Sequence, residues 1–470
     1  MGRRSADDGP GNSALMSHNQ SNPMPLFSLS ADASYRTDEA DMARYYADRR
    51  LMLRNIVLIG LSTVGWSVAL QIVTPLIAVR LLDLGVKENV QGTINSINLW
   101  AVSFLVMLFG WMSDHTISRL GRRKPYLFIA APFIIATICI FPFFAVPRFV
   151  PLLLTLQVVY LLFMDLKNST FALVMIDCVP GPMLARATAV VTMVAGVVSF
   201  LSNRYAADLA AMGDKAPMLL AAGVMLMTTI TAVFVREPPV THPRSAPFRP
   251  WSTFRVAAAY DKRLFVLMAG IALLYAFPSV CTQWLWFWSK ETLGFTRSDI
   301  FRAVSWAGLA NVVLSYPIGW TVDRFGGLKV VLAFMVLCAG CFGLILYTHT
   351  KAELIILVIA QTVIFPMYWS ADMLVFKSCP TQNVGAITST NSCIRNAFLG
   401  CLSLLSGWAI YWTGHDYRVG FAIGLALSAA GCVLCVVHQT KLKQSSAETA
   451  PADISPVLVE AETLPIATAL

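Results

Sequence analysis

A few ionisable and amide side chains stand inside otherwise apolar stretches, and these are the residues of the chain that could do chemistry. Asp165 and Asn168, in "MDLKNS", lie three positions apart, so on a helix they share a face and offer a carboxyl and an amide to the same space. Lys167 lies between them and faces another side, where it can snorkel or pair across helices. Arg395 stands in "TSTNSCIRNAF", and its planar fork of donors suits hydroxyl groups or a carboxylate. Asp372, in the preceding apolar stretch, is a candidate partner for Arg395 or a lining residue of an inner gate. Gln71 can hydrogen-bond a hydroxyl. Asn95, Asn98, Asn311 and Asn391 read as binding groups or as polar glue between helices.

The surroundings of these residues set their meaning. The chain has 470 residues, 57% hydrophobic and 13% charged; soluble domains average about 45–50% apolar and about 25% charged. Twelve apolar stretches are long enough to cross a bilayer: 55–79, 92–113, 126–146, 151–176, 186–207, 217–235, 264–288, 300–322, 328–347, 353–376, 385–413 and 417–438. The first is too long and too late for a cleaved signal peptide. The expected fold class is therefore an all-α membrane protein with 12 transmembrane helices. A charge at the centre of such a helix costs about 2.5–3.5 kcal/mol, which makes Asp165 a functional residue by default.

Five segments follow. Residues 1–50 and 441–470 are polar tails without helical periodicity, expected to be disordered. Residues 51–235 and 263–440 each hold six stretches, and 236–262 is a Pro- and Arg-rich linker, "REPPVTHPRSAPFRPW". Of the 35 Lys and Arg, 23 fall in the tails and the even-to-odd connections and 10 on the opposite side. That bias places both termini in the cytoplasm, with the chain multi-pass in a plasma (inner) membrane. The formal charge of +9 reflects the same bias; the basic residues form no folded face, so no nucleic-acid partner is expected. The pairs Cys338/Cys341 and Cys432/Cys435 lie inside apolar stretches and read as packing, so no metal is expected. HExxH, GxSxG and P-loop patterns do not occur, and the chain is read as no enzyme.

The two halves repeat. "GWMSD", Gly110 to Asp114, closes the second stretch, and "GWTVD", Gly319 to Asp323, closes the eighth. Each continues into Gly and basic residues: Gly121, Arg122 and Arg123 in one, Arg324, Gly326, Gly327 and Lys329 in the other. Glycine permits a tight turn and close helix approach, the Asp can accept from a helix N-terminus or an Arg, and the cations anchor the connection.

This doubled pattern resembles the signature loop of the major facilitator transporters, whose two six-helix bundles hold a site between them at mid-membrane. In the first half, "SDHTISRLGRRKPYLF" resembles the longer loop of the glycoside–pentoside–hexuronide:cation symporters. It is most similar to their sucrose:proton branch. "GWSVALQIVTPLIAVRLLDLG" resembles that branch's WALQ…TP…LG pattern at Trp66, Ala69, Leu70, Gln71, Thr74, Pro75 and Gly85, and "MDLKNS" its LDVANN segment at Asp165 and Asn168. The loop "VREPP" also fits. The likeness covers about residues 60–240; beyond that it rests on topology.

The resemblance implies that Gly110, Asp114, Gly121, Arg122, Arg123, Gly319, Asp323 and Arg324 latch the two bundles, together with Asp177 and Arg186 of "ALVMIDCVPGPMLAR". It implies that Asp165 is the proton-coupling or sugar-binding acid, with Asn168, Gln71, Arg395 and Asp372 around the solute. Trp284, in "QWLWFW", either stacks on a sugar ring or belongs to an aromatic belt at the membrane surface. No cofactor is expected. The second stretch lacks the acids of sodium-coupled relatives, so a proton is the expected coupling ion and sodium is disfavoured. The expected function is proton-coupled symport of a sugar or glycoside, of the sucrose or maltose kind, by a monomer in the bilayer. The alternatives are a proton-independent facilitator or exporter of another small molecule and, from a different class, a transporter-derived sensor or scaffold.

Overall fold

The computed structural model describes residues 28–29, 45, 47–118, 120–179, 181–210, 213, 215–238, 250–260, 262–325, 327–361, 364, 375 and 384–448. Most of the two expected tails lies outside this set, as does Asp372.

Long apolar runs become long helices, because every backbone N–H and C=O then finds its partner within the segment. The first half holds α1 (Arg49–Asp83), α2 (Glu88–Asp114), α3 (Lys124–Ile140), α4 (Val150–Cys178), α5 (Gly181–Ala210) and α6 (Lys215–Thr231). A short linker helix, Pro250–Tyr260, precedes the second half. There follow α7 (Leu264–Glu291), α8 (Arg297–Phe325), α9 (Gly327–Tyr347), α10 (351–361), α11 (Val384–Trp412) and α12 (Tyr417–Glu448). Among the described residues, ten of these are long and apolar enough to cross a membrane. Large apolar side chains such as Val57, Phe104, Met227, Val313, Val336 and Val433 are exposed along them, as a lipid-facing surface requires.

Because the helices alternate in direction, one end of the molecule carries Arg49, the α2–α3 connection, Cys178 and Arg236, and is called here the near end. The far end carries Asp83, Glu88, Glu291 and His415. The buried apolar side chains form separate clusters, one around Ile72, Tyr160 and Met225 in the first half and one around Phe277, Trp284 and Phe421 in the second.

Two helices deviate where proline removes a donor. In α1 a π-turn over Ala69–Val73 precedes Pro75, and the Ala69 carbonyl accepts from Tyr160 Oη at 2.9 Å. In α7 the helix breaks at Tyr275; Pro278 cannot donate to Leu274, and Ser428 Oγ donates to that carbonyl instead, at 3.0 Å.

The halves meet along α2/α11 and α5/α8. At the first crossing Gly92 and Gly407 stack so closely that a Cβ on either would lie 3.1 Å from the other's Cα. Ser96 Oγ donates to the Gly400 carbonyl at 2.7 Å, and Trp100 Nε1 to that of Ala397 at 3.1 Å. Small residues allow this approach, and the side-chain donors hold it. The expected all-α architecture gains one exception: Ser28–Leu29 (β1) pairs antiparallel with Thr116–Ile117 (β2) of the α2–α3 connection, so this piece of the tail is a strand.

Candidate functional site

Asp165 sits one residue past the midpoint of the 29-residue helix α4. Its Oδ2 accepts from Asn98 Nδ2 of α2 at 3.0 Å. No cation among the described residues pairs with it. Asn98 is buried, and its Oδ1 has no donor among the described residues. Asn98 thus joins α2 to α4 through the central acid; its spacing in the sequence gave no sign of which helix it meets. Asn168, one turn along α4, is exposed.

Lys167 is buried at 3% exposure, with Nζ against Met225 Sδ and 3.3 Å from Thr229 Oγ1 of α6. Its ammonium therefore crosses to α6 and stays inside the first half. Gln71 lies in the π-turn of α1, and its Oε1 accepts from Ser199 Oγ and, at 2.7 Å, from Asn203 Nδ2 of α5. The amide oxygen is thereby committed to holding α1 on α5, and the NH2 group is what remains for a solute.

In the second half Arg395, near the middle of α11, donates from Nη1 to Tyr275 Oη at 3.1 Å, with its guanidinium 4.6 Å from the centre of that ring. Tyr275 stands at the break in α7, so the break aims the ring at the guanidinium. The Asp372 partnership proposed for Arg395 falls outside the described residues. Trp284 is fully buried; its Nε1 donates to Ser406 Oγ at 3.0 Å and its ring packs on Phe287 and Tyr417. Trp288 is 1% exposed, so the membrane-surface belt expected for this segment is instead core packing. A cavity of about 380 Å³, lined by Arg80, Lys215 and Arg297 among others, lies at the far end, away from Asp165.

The near end resolves why the α2–α3 connection is so charged. Arg122 Nη2 and Arg123 Nε both donate to Asp177 Oδ2, at 2.5 and 2.6 Å, and Arg123 Nη1 donates to buried Ser113 at 2.6 Å. Glu237, just beyond α6, accepts from the backbone N–H groups of Arg122, Arg123 and Lys124 at 2.6, 3.2 and 3.0 Å. Those donors open α3 and have no partner within it, so Glu237 caps the helix from a distant segment. Lys124 Nζ donates to the Val235 carbonyl at 2.9 Å. Asn55 of α1 ties in Arg236 through both its amide groups.

Gly121 sits at φ +111°, and a Cβ there would lie 2.8 Å from the Glu237 carboxyl. Only glycine fits both the backbone and the space. Burial pushes Asp177 up, but the Arg123 and Arg122 guanidiniums outweigh it and hold the carboxyl below its ordinary value. For Glu237 burial prevails over the backbone donors and Lys124, leaving it above its ordinary value.

Gly110 lies within α2 and Gly319 within α8; Arg186 and Asp323 lie on α5 and α8, and Asp114 ends α2, with their side chains outside the described set. Arg324 is exposed. Asp177 therefore meets Arg122 and Arg123 inside the first half. Sequence reasoning missed Glu237 and Asn55, although "VREPP" was noted as part of a pattern. It also missed the far-end charges: Lys290 and Arg297 both pair with Asp83, and Glu88 meets His415 and Tyr417. Each joins the two halves.

The comparisons with known proteins agree with this architecture. The profile of the Major Facilitator Superfamily matches residues 56–403. A variant of the nucleoside transporter NupG superposes with a TM-score of 0.61 at 15% identity, covering 83% of this chain and 99% of its own. A D-xylose-proton symporter does so with a TM-score of 0.59 at 14% identity, covering 81% and 96%. No curated protein matches the sequence. The multi-pass helical fold, its two halves joined along α2/α11 and α5/α8, and the match over most of its length lead to one conclusion: this chain belongs to the Major Facilitator Superfamily of secondary membrane transporters, and not to an enzyme family.

Proposed function

We propose that the protein is a proton-coupled symporter of a sugar or glycoside, akin to the sucrose:proton branch of the glycoside–pentoside–hexuronide:cation symporters, working by alternating access. The observation that carries this reading is Asp165, a carboxyl at the centre of a membrane helix whose partner is the neutral amide of Asn98. A neutral donor cannot balance a full charge, so the acid is poised to exchange a proton with whichever aqueous phase reaches it. Asn168, the Gln71 amide and Arg395 supply donors and acceptors for solute hydroxyl groups. Both termini face the cytoplasm of the plasma membrane, as the Lys and Arg bias supports. The structural neighbours, a nucleoside transporter and a D-xylose-proton symporter, fit a solute that carries a sugar ring.

The test uses purified protein in proteoliposomes, with labelled sucrose, maltose, xylose and a nucleoside, with and without an inward proton gradient. Gradient-driven accumulation of one of them is the expected result, and Asp165→Asn should abolish accumulation while sparing exchange of solute across the membrane. Uptake of every such solute that ignores the gradient would overturn the coupling and favour a facilitator.

A further inference from the structure

At the far end, α2 of the first half meets α7 and the α11–α12 connection of the second, and four polar side chains converge there. Glu88 is 1% exposed, although it opens α2. Its Oε1 lies 2.7 Å from His415 Nδ1 and accepts from Tyr417 Oη at 2.8 Å. The same Tyr417 hydroxyl lies 2.5 Å from Glu291 Oε2.

A phenol has one proton, so it can donate to one of these two carboxylates and not to both. Glu88 Oε2, the other oxygen of the buried group, has no donor among the described residues. Two carboxylates thus share one hydroxyl and one imidazole. The neighbouring charges are turned elsewhere. Lys87 lies over the Tyr411 ring at 5.1 Å, Lys290 is engaged with Asp83, and Asp416 accepts from the Arg418 backbone. The cluster has a deficit of positive charge and an unused, buried acceptor.

A carboxylate oxygen of Glu88, one of Glu291 and a ring nitrogen of His415 all lie within 4.8 Å of one another. One imidazole and two carboxylates form a donor set suited to zinc, whose bonds to such atoms are about 2.0–2.2 Å, so the three groups need close in by only about 1 Å. The His415 side chain is 55% exposed, which leaves an aqueous route and room for a water as fourth ligand.

We propose that Glu88, Glu291 and His415 form a site for a divalent cation of the zinc class at the seam between the two halves. The ion balances the paired carboxylates and, having ligands from both halves, holds the far end together. The site is independent of which solute the protein carries.

The experiment is equilibrium binding of zinc chloride to tag-free, full-length protein in detergent, with magnesium chloride as control, followed by thermal unfolding with and without zinc. The expected result is one zinc per chain, not displaced by magnesium, and a raised unfolding midpoint. Glu291→Gln and His415→Asn should each weaken binding about tenfold or more and remove the midpoint shift. Asn tolerates the positive φ of position 415, and both residues are exposed, Glu291 at the last position of α7 and His415 in the bend before α12, so the zinc-free midpoint should stay near that of the unaltered protein. Absence of saturable binding to the unaltered protein, or zinc binding that both variants retain, would overturn the proposal.

Discussion

The two ends of the molecule use charge differently. At the near end Arg122, Arg123 and Asp177, with Glu237 over the start of α3, join segments of one half to one another. At the far end Asp83 meets Lys290 and Arg297, and Glu88 meets His415 and Tyr417, each across the boundary between halves. Contacts within a half build a rigid body, whereas contacts between halves can be made and broken as the halves move. Similar ion pairs therefore carry different consequences: the near-end set should govern stability, the far-end set the distribution between conformations.

The sharpest way to break this distinction is Asp177→Asn. It takes from two guanidiniums, one of them 7% exposed, the carboxylate they share. Removing one partner of a buried pair costs about 3–5 kcal/mol, so detergent-denaturation midpoints should fall steeply. The same residue predicts a pH effect. Its folded value lies below its unfolded one, so its contribution is complete above about pH 4 and is lost as pH falls through the folded value. The acid-induced loss between pH 6 and pH 2 should be smaller in Asp177→Asn; an unchanged acid limb would remove Asp177 from the account.

Gly121→Ala comes next. The strained φ and the clash with Glu237 should cost about 1–3 kcal/mol, read by the same unfolding measurement and without effect on far-end distances. Asp83→Asn should have the smallest effect on stability, because its pairs are about a quarter exposed and each such pair contributes about 0–1 kcal/mol. Spin labels on the α1–α2 and α7–α8 connections should nevertheless report a shift toward longer distances. A large loss of stability with no change in distance would erase the contrast between the ends.

Much of the fold was legible in the chain. Twelve apolar stretches of bilayer length force helices, because no other single-segment structure satisfies the backbone in lipid. The Gly–x–x–x–Asp repeat at Gly110 and Gly319 pointed to duplication, and Asp165 stood out because a charge in the membrane is costly wherever it points. Helix ends were displaced where polar residues carry a helix beyond the apolar core, as at Arg49 and Glu88.

What the tertiary structure decided was partnership. Asn98 found Asp165 across 67 positions, Glu237 found the start of α3 across 113, and Gln71 found Ser199 and Asn203 on α5. Trp284 and Trp288, whose pattern suits a membrane surface, were buried by α11 and α12. Composition and hydropathy determine which segments lie in the membrane, since transfer free energy is a property of each residue in turn. They do not determine which faces meet, since in a membrane that depends on close packing and on hydrogen bonds between helices far apart in sequence.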